Sequence, residues 1–157
     1  MVLCGGVRLI PYLDRGNYLG IEKEETLVRI GIAKELGPEL YTSKAPEFVI
    51  SQTFEFEKFS RKPNFALAQS LFTHLREEHI ALCLSKLRQF VNPGSRFFAT
   101  YFLGGAKRSP GESNACHMFV YTREQAEAFG RAAGWTANYI GDWDHPRNQM
   151  IIEYVAE

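Results

Sequence analysis

Apolar residues along this chain switch repeatedly between two spacings, and the switching predicts its elements. Helical spacing is clearest over Glu77 to Val91. Ile80, Cys83, Leu84, Leu87 and Val91 recur every three or four residues, with Lys86, Arg88 and Gln89 opposite. Asn92-Pro93-Gly94 ends that helix, and Arg96 to Leu103 follows as an aromatic-rich strand. Thr122-Arg123-Glu124-Gln125 matches a capping box and opens a helix running to Ala133, closed by Gly134. Glu24 to Leu36 reads as a third helix, with Leu27, Ile30 and Leu36 on one side and Gly37-Pro38 as a stop signal. Gly6 to Leu13 is a short helix with Pro11 as a defect, and Asp14 to Asn17 is a turn.

Between these lie strand patterns. Tyr18 to Ile21 is one; Phe48 to Ile50 followed by Thr53 to Phe56 suits another, interrupted or ending near Ser51-Gln52. Phe65 to Ala68 is apolar without alternation, as in a strand buried on both faces. Trp135 to Ile140 and Met150 to Val155 make a closing hairpin around Gly141 to Gln149. Gly104 to Asn114 has no periodicity and reads as a loop, a candidate lid. Strands alternating with helices, then a hairpin, predict an α/β fold whose mostly parallel sheet ends in an antiparallel strand.

A length of 157 residues with no linker or repeat predicts a single domain over 1–157. Eighteen basic against eighteen acidic residues leave no electrostatic footprint for nucleic acid or an anionic membrane. Without a long apolar run or a leader pattern, the expected location is cytoplasmic. Cys4, Cys83 and Cys116 fall at unrelated spacings and read as reduced thiols. His74 and His79 stand five apart with no third ligand nearby, so no metal site is expected.

Chemistry concentrates at the front. Gly5-Gly6 precedes a short helix, and the next strand ends in Glu22. In folds that bind adenosine-containing cofactors, a glycine turn lets backbone approach the ligand, and an acid at the next strand's end accepts hydrogen bonds from the ribose hydroxyls. The same acid, with Glu24 and Glu25, also suits a plain first helical turn.

Taken together, these segments resemble the class I S-adenosylmethionine-dependent methyltransferases, whose seven-stranded Rossmann-like sheet closes with an antiparallel hairpin strand. Gly20-Ile21-Glu22 resembles the end of that family's second strand, and Phe65 to Leu75 its fourth strand and following loop. Leu87 to Phe97 resembles the helix, Pro-Gly turn and fifth strand. Tyr121 to Gln125 and Gly141 to Gln149 are similar to the closing helix and final hairpin of some members. The first strand and the opening glycines of the family's turn have no counterpart before Leu3. The chain therefore reads as N-terminally truncated, with a gap expected at the middle of the sheet. Three explanations stand: a start assigned downstream of the true one, a remnant, or a strand supplied by a partner chain or by self-association.

The resemblance implies S-adenosyl-L-methionine as cofactor, Glu22 on the ribose, Gly5 and Gly6 along the methionine portion, and Ala68, Gln69 and Ser70 lining the crevice. Phe72 is a candidate neighbour of the transferred methyl, although a core role is the simpler reading. His74 and His145 are candidate general bases, and Arg147 a candidate partner for an anionic acceptor; Asp144 to Arg147 also suits a simple solvated turn. The function implied is methyl transfer to an unidentified small-molecule acceptor. The alternative is a non-catalytic truncated remnant, or a partner-dependent subunit without cofactor binding. A nicotinamide-dependent oxidoreductase would need the same missing turn, and the closing hairpin argues against it.

Overall fold

The computed structural model describes residues 1–3, 6–105, 112–113 and 116–157. Eight strands form one sheet: β1 (Val2–Leu3), β2 (Leu19–Glu22), β3 (Glu47–Ile50), β4 (Phe65–Ala68), β5 (Arg96–Leu103), β6 (Val120–Tyr121), β7 (Trp135–Asp142) and β8 (Gln149–Ala156). Their order is β3-β2-β1-β4-β5-β8-β7, with the two-residue β6 pairing beside the end of β5. β1 through β5 pair in parallel, and β8 is antiparallel to both β5 and β7. The parallel sheet and its antiparallel closing hairpin match the expectation from sequence.

The expected gap is filled. Val2 pairs with Gly20 and Leu3 with Ile21 on one side, while Val2 pairs with Leu67 on the other. The Met1 carbonyl also accepts a hydrogen bond from the Leu67 N–H at 3.0 Å. Without β1 the paired backbone groups of β2 and β4 would lack partners, at a cost of about 1–3 kcal/mol for each one buried.

Helices cover the sheet unevenly. α3 (Glu77–Phe90) buries Ile80, Cys83, Leu84 and Leu87, as its periodicity predicts. α4 (Arg123–Ala132) opens with the complete capping box: the Thr122 hydroxyl accepts from the Gln125 N–H, and the Gln125 side chain accepts from the Thr122 N–H. These two helices enclose the main core, where Phe97 packs against Phe72, Trp135 and Tyr154 at centroid distances of 5.9–6.2 Å. A second, smaller core of Val2, Val7, Ile10, Tyr18 and Leu36 lies under the front of the chain.

The front half of the chain adds to or differs from expectation in four places. The residues from Val7 to Tyr12 form a 3₁₀ helix, consistent with Pro11 inside it. α1 (Glu25–Gly31) buries Val28 and Gly31, whereas Leu27 and Ile30 face solvent, and the helix widens into a π-turn over Ile32–Leu36. The helix ends at Leu36 with Gly37 as its C-cap, as the stop signal predicts, but Pro38 also opens a helix the sequence reading did not place, α2 (Pro38–Lys44). A proline fits there because the N–H it lacks would have no helical partner. Thr53 to Phe56 does not extend β3; the chain leaves the sheet and forms a 3₁₀ turn over Phe56–Lys58.

Candidate functional site

Because β1, β2, β4, β5 and β7 run in one direction, their carboxyl ends share one edge of the sheet. The chain leaves β1 for β2 and β3 on one side, then returns to β4 on the other. The edge between β1 and β4 is therefore a topological switch point, where open α/β sheets hold ligands. The register sets Glu22, Gly6 and Gln69-Ser70 within a few residues of that point.

Glu22 is the last residue of β2 and is 8% exposed. Its Oε1 accepts hydrogen bonds from the N–H groups of Lys23, at 2.7 Å, and Glu24, at 3.2 Å. Oε2 takes no hydrogen bond among the described residues. One carboxylate oxygen thus shapes the turn into α1, and the other keeps its acceptor capacity.

Gly6 is exposed with φ −66°, a backbone open to any residue, and an added Cβ would meet only Val2 Cγ1 at 4.0 Å. Neither the backbone nor internal packing requires glycine there. Its carbonyl is held by the buried Tyr18 hydroxyl, which donates at 2.9 Å. Burial raises the pKa of that phenol above the usual tyrosine range, with the nearby Glu22 charge adding to the effect. Gly5 lies outside the described residues.

After β4 the candidates separate. Ala68 is a wholly buried core residue, so only its backbone reaches the edge. Gln69 is exposed. Ser70 has a left-handed backbone, φ 60°, and is turned inward: its N–H donates to Thr100 Oγ1 at 2.7 Å, and its hydroxyl meets the Gln149 amide. Phe72 is buried edge-on against Phe97, which places it in the core.

The histidines are also engaged. His74 Nδ1 lies 2.8 Å from the His117 carbonyl, so that nitrogen carries the proton and Nε2 is left to accept one. His145 Nδ1 accepts the Arg147 N–H at 3.2 Å, which puts the neutral ring's proton on Nε2, and the ring stacks on Trp143 with centroids 5.1 Å apart. Arg147 is exposed and forms no ion pair among the described residues. β7 is parallel to β5, so the loop 143–148 stands on the same sheet edge as Glu22 and Ser70. The acceptor lid expected over 104–114 falls largely on 106–111 and 114, outside the described residues; Ser113 docks on the start of α3, its Oγ accepting the Arg76 N–H at 2.7 Å. Among the described residues no group of three or more His, Cys, Asp or Glu side chains is placed to hold a metal ion.

Sequence reasoning did not single out Tyr18, Thr100 or Gln149 as supports of this edge. Their signal was faint: a threonine inside an aromatic strand and a glutamine at the head of an apolar one.

No family model and no curated protein matches this sequence. Solved structures do resemble it. The glycopeptide N-methyltransferase MtfA, complexed with S-adenosyl-L-homocysteine, superposes with a TM-score of 0.70 at 14% identity over 99% of this chain and 82% of its own. CalS10, an amino pentose methyltransferase from Micromonospora echinaspora, gives 0.68 at 10% identity over 99% and 83%. The pyocyanin biosynthetic protein PhzM gives 0.68 at 15% identity over 99% of this chain, which spans only 49% of PhzM. The chain has the class I methyltransferase fold. No helix among the described residues is long and apolar enough to cross a membrane.

Proposed function

We propose that residues 1–157 act as one methyltransferase-like domain that binds S-adenosyl-L-methionine and transfers its methyl group to a small-molecule acceptor in the cytoplasm. The observation that carries this reading is Glu22: a buried carboxylate at the end of β2, beside the switch point, with one oxygen unengaged. The donor set fits the cofactor. A ribose diol needs an acceptor of that kind, and Gly6 leaves open space where backbone would approach the ligand.

The cofactor would supply an electrophilic methyl on a sulfonium, and the protein would supply position and, where needed, a base. Glu22 would hold the ribose, with Gly5, Gly6 and Gln69 along the crevice and Ala68 offering backbone. Ser70 would brace the crevice wall, since its polar groups are turned into the fold. His74 would take a proton at Nε2, and Arg147 would pair with an anionic group on the acceptor. His145 has its Nδ1 committed to the loop, which favours a shaping role there. Structural neighbours that act on small molecules by their printed descriptions support the acceptor class.

Calorimetric titration with S-adenosyl-L-homocysteine tests the reading. The wild-type protein is expected to bind, and Glu22→Ala to abolish binding, with a loss of about 0.5–2 kcal/mol in stability for the two N–H bonds given up at the start of α1. Absence of heat from folded wild-type protein would overturn cofactor binding and favour the non-catalytic alternative. Equal affinity in the variant would remove the ribose assignment.

A further inference from the structure

We infer that Gln149 is a positioning residue which, through Thr100 and Ser70, couples the turn after β4 to the hairpin loop 143–148. The inference rests on the functional reading above, in which the turn borders the cofactor and the loop borders the acceptor.

Gln149 and Thr100 are both fully buried, which polar side chains tolerate only when hydrogen-bonded. The Thr100 hydroxyl donates to Gln149 Oε1 at 2.6 Å and accepts the Ser70 N–H at 2.7 Å. The Gln149 amide also faces the Ser70 hydroxyl, with Nε2 at 3.0 Å and Oε1 at 3.1 Å. The Ser70 carbonyl in turn accepts from Thr73 Oγ1 at 2.6 Å. Ser70 adopts a left-handed backbone that serine does not favour, so the turn depends on these bonds to keep its shape. Three strands contribute: Ser70 follows β4, Thr100 lies in β5 and Gln149 begins β8.

The far end of the node is the loop. Gln149 directly follows Asn148, another left-handed residue. Asn148 donates its N–H to the His145 carbonyl at 2.8 Å, Arg147 donates to His145 Nδ1, and Asp144 donates to Asp142 Oδ1 at 2.9 Å. A loop braced in this way moves with its stem, and its stem is Gln149. Displacement of the turn by a ligand therefore reaches Trp143, His145 and Arg147 through a single buried amide.

Hydrogen–deuterium exchange on the full chain tests the coupling. Without ligand, Thr100→Val is expected to speed exchange at Asp144 and Asn148 about fivefold, the factor one lost hydrogen bond gives. Thr100→Ser, which restores the hydroxyl, should return to the wild-type rate, and α3 amides should not change. With S-adenosyl-L-homocysteine, wild-type exchange in the loop should slow, and Thr100→Val should lose that slowing. Ser70→Gly, which suits the left-handed backbone but takes the partner from Gln149 Nε2, should speed loop exchange more than exchange in α3, and stands in if Thr100→Val does not fold. Unchanged loop exchange in the variants, or acceleration spread equally over α3, would overturn the coupling. Failure of the wild-type protein to bind the ligand would instead overturn the functional reading, and the unliganded arms would still decide the coupling.

Discussion

The two halves of the sheet are built differently. β5, β8 and β7 are each eight residues long, α3 and α4 lie against them, and Phe97, Trp135, Tyr154 and Phe72 interlock. From β1 to β3 the strands have two to four residues, and their share of the main core, Leu3, Leu19, Ile21 and Val49, is supplemented by a small second core around Tyr18. Yet Glu22 and Gly6 sit on the thin half, while the thick half carries the hairpin loop. The candidate cofactor contacts are thus drawn from the thin half and the candidate acceptor contacts from a loop of the thick one, in keeping with ligand-binding segments coming from the less stable parts of a fold.

Alkali should expose the difference most strongly. Burial raises the pKa of Tyr101, Tyr121 and Tyr154 in the thick half, against Tyr18 alone in the thin half. A tyrosine whose folded pKa is raised contributes stability that is complete below the unfolded value and declines as pH rises past it. Above about pH 10 each such group should lose about 1.4 kcal/mol per pH unit until the folded form also ionises. Urea midpoints measured from pH 8 to 11 should fall steeply at the alkaline end; a flat profile would show that these phenols ionise freely in the folded protein.

Trp135→Ala should cost about 3–5 kcal/mol, because the indole is buried against Phe97 and Tyr154 and its Nε1 donates to the Leu84 carbonyl at 3.0 Å. A midpoint shift well under this would mean that the thick half repacks easily. Next in size is Gly130→Ala. A Cβ there would lie 2.4 Å from Tyr154 Cδ1, and that ring is fixed by burial and by its hydroxyl's bond to the Ala126 carbonyl. The overpacking, about 1–3 kcal/mol, should outweigh the gain in helix propensity. Gly20→Ala repeats the clash in the thin half: a Cβ there would lie 2.7 Å from Cδ1 of the half-buried Phe48 and 2.8 Å from Cε1 of the buried Tyr18, whose hydroxyl is tied to the Gly6 carbonyl. With one neighbour free to shift and the other fixed, its cost should not exceed that of Gly130→Ala, at about 1–2 kcal/mol. If Gly20→Ala proves the costlier of the two, the thin half is the more rigid one and the comparison reverses.

The thick half was also the legible one. α3 and β5 follow their sequence signals because a long apolar period and the Asn92-Pro93-Gly94 stop leave little choice. α4 was marked by its capping box for the same reason: the signal is local. In the thin half the signals compete. Leu27 and Ile30 offered one apolar stripe, but Val28 and Gly31 face inward, and the added Cβ of Gly31 would press 3.2 Å from Val7, a contact sequence spacing does not reveal. Two residues after Met1 carry no period at all, so β1 could be recognised only once β2 and β4 were in place beside it. The candidate site divides in the same way. Glu22 was legible because strand and acid are adjacent, whereas the inward turn of Ser70 depends on Thr100 and Gln149, 30 and 79 residues away.

One consequence of the strand order concerns synthesis. β8 lies between β5 and β7 but follows both in the chain. As the polypeptide leaves the ribosome, β5 has two neighbours to wait for and β7 has none of its ladder. Roughly fifty residues separate the end of β5 from the end of β8, so this aromatic surface stays half-assembled for about 3–10 s at ordinary elongation rates. Until β8 emerges, the facing edges of β5 and β7 lack the strand that pairs with both.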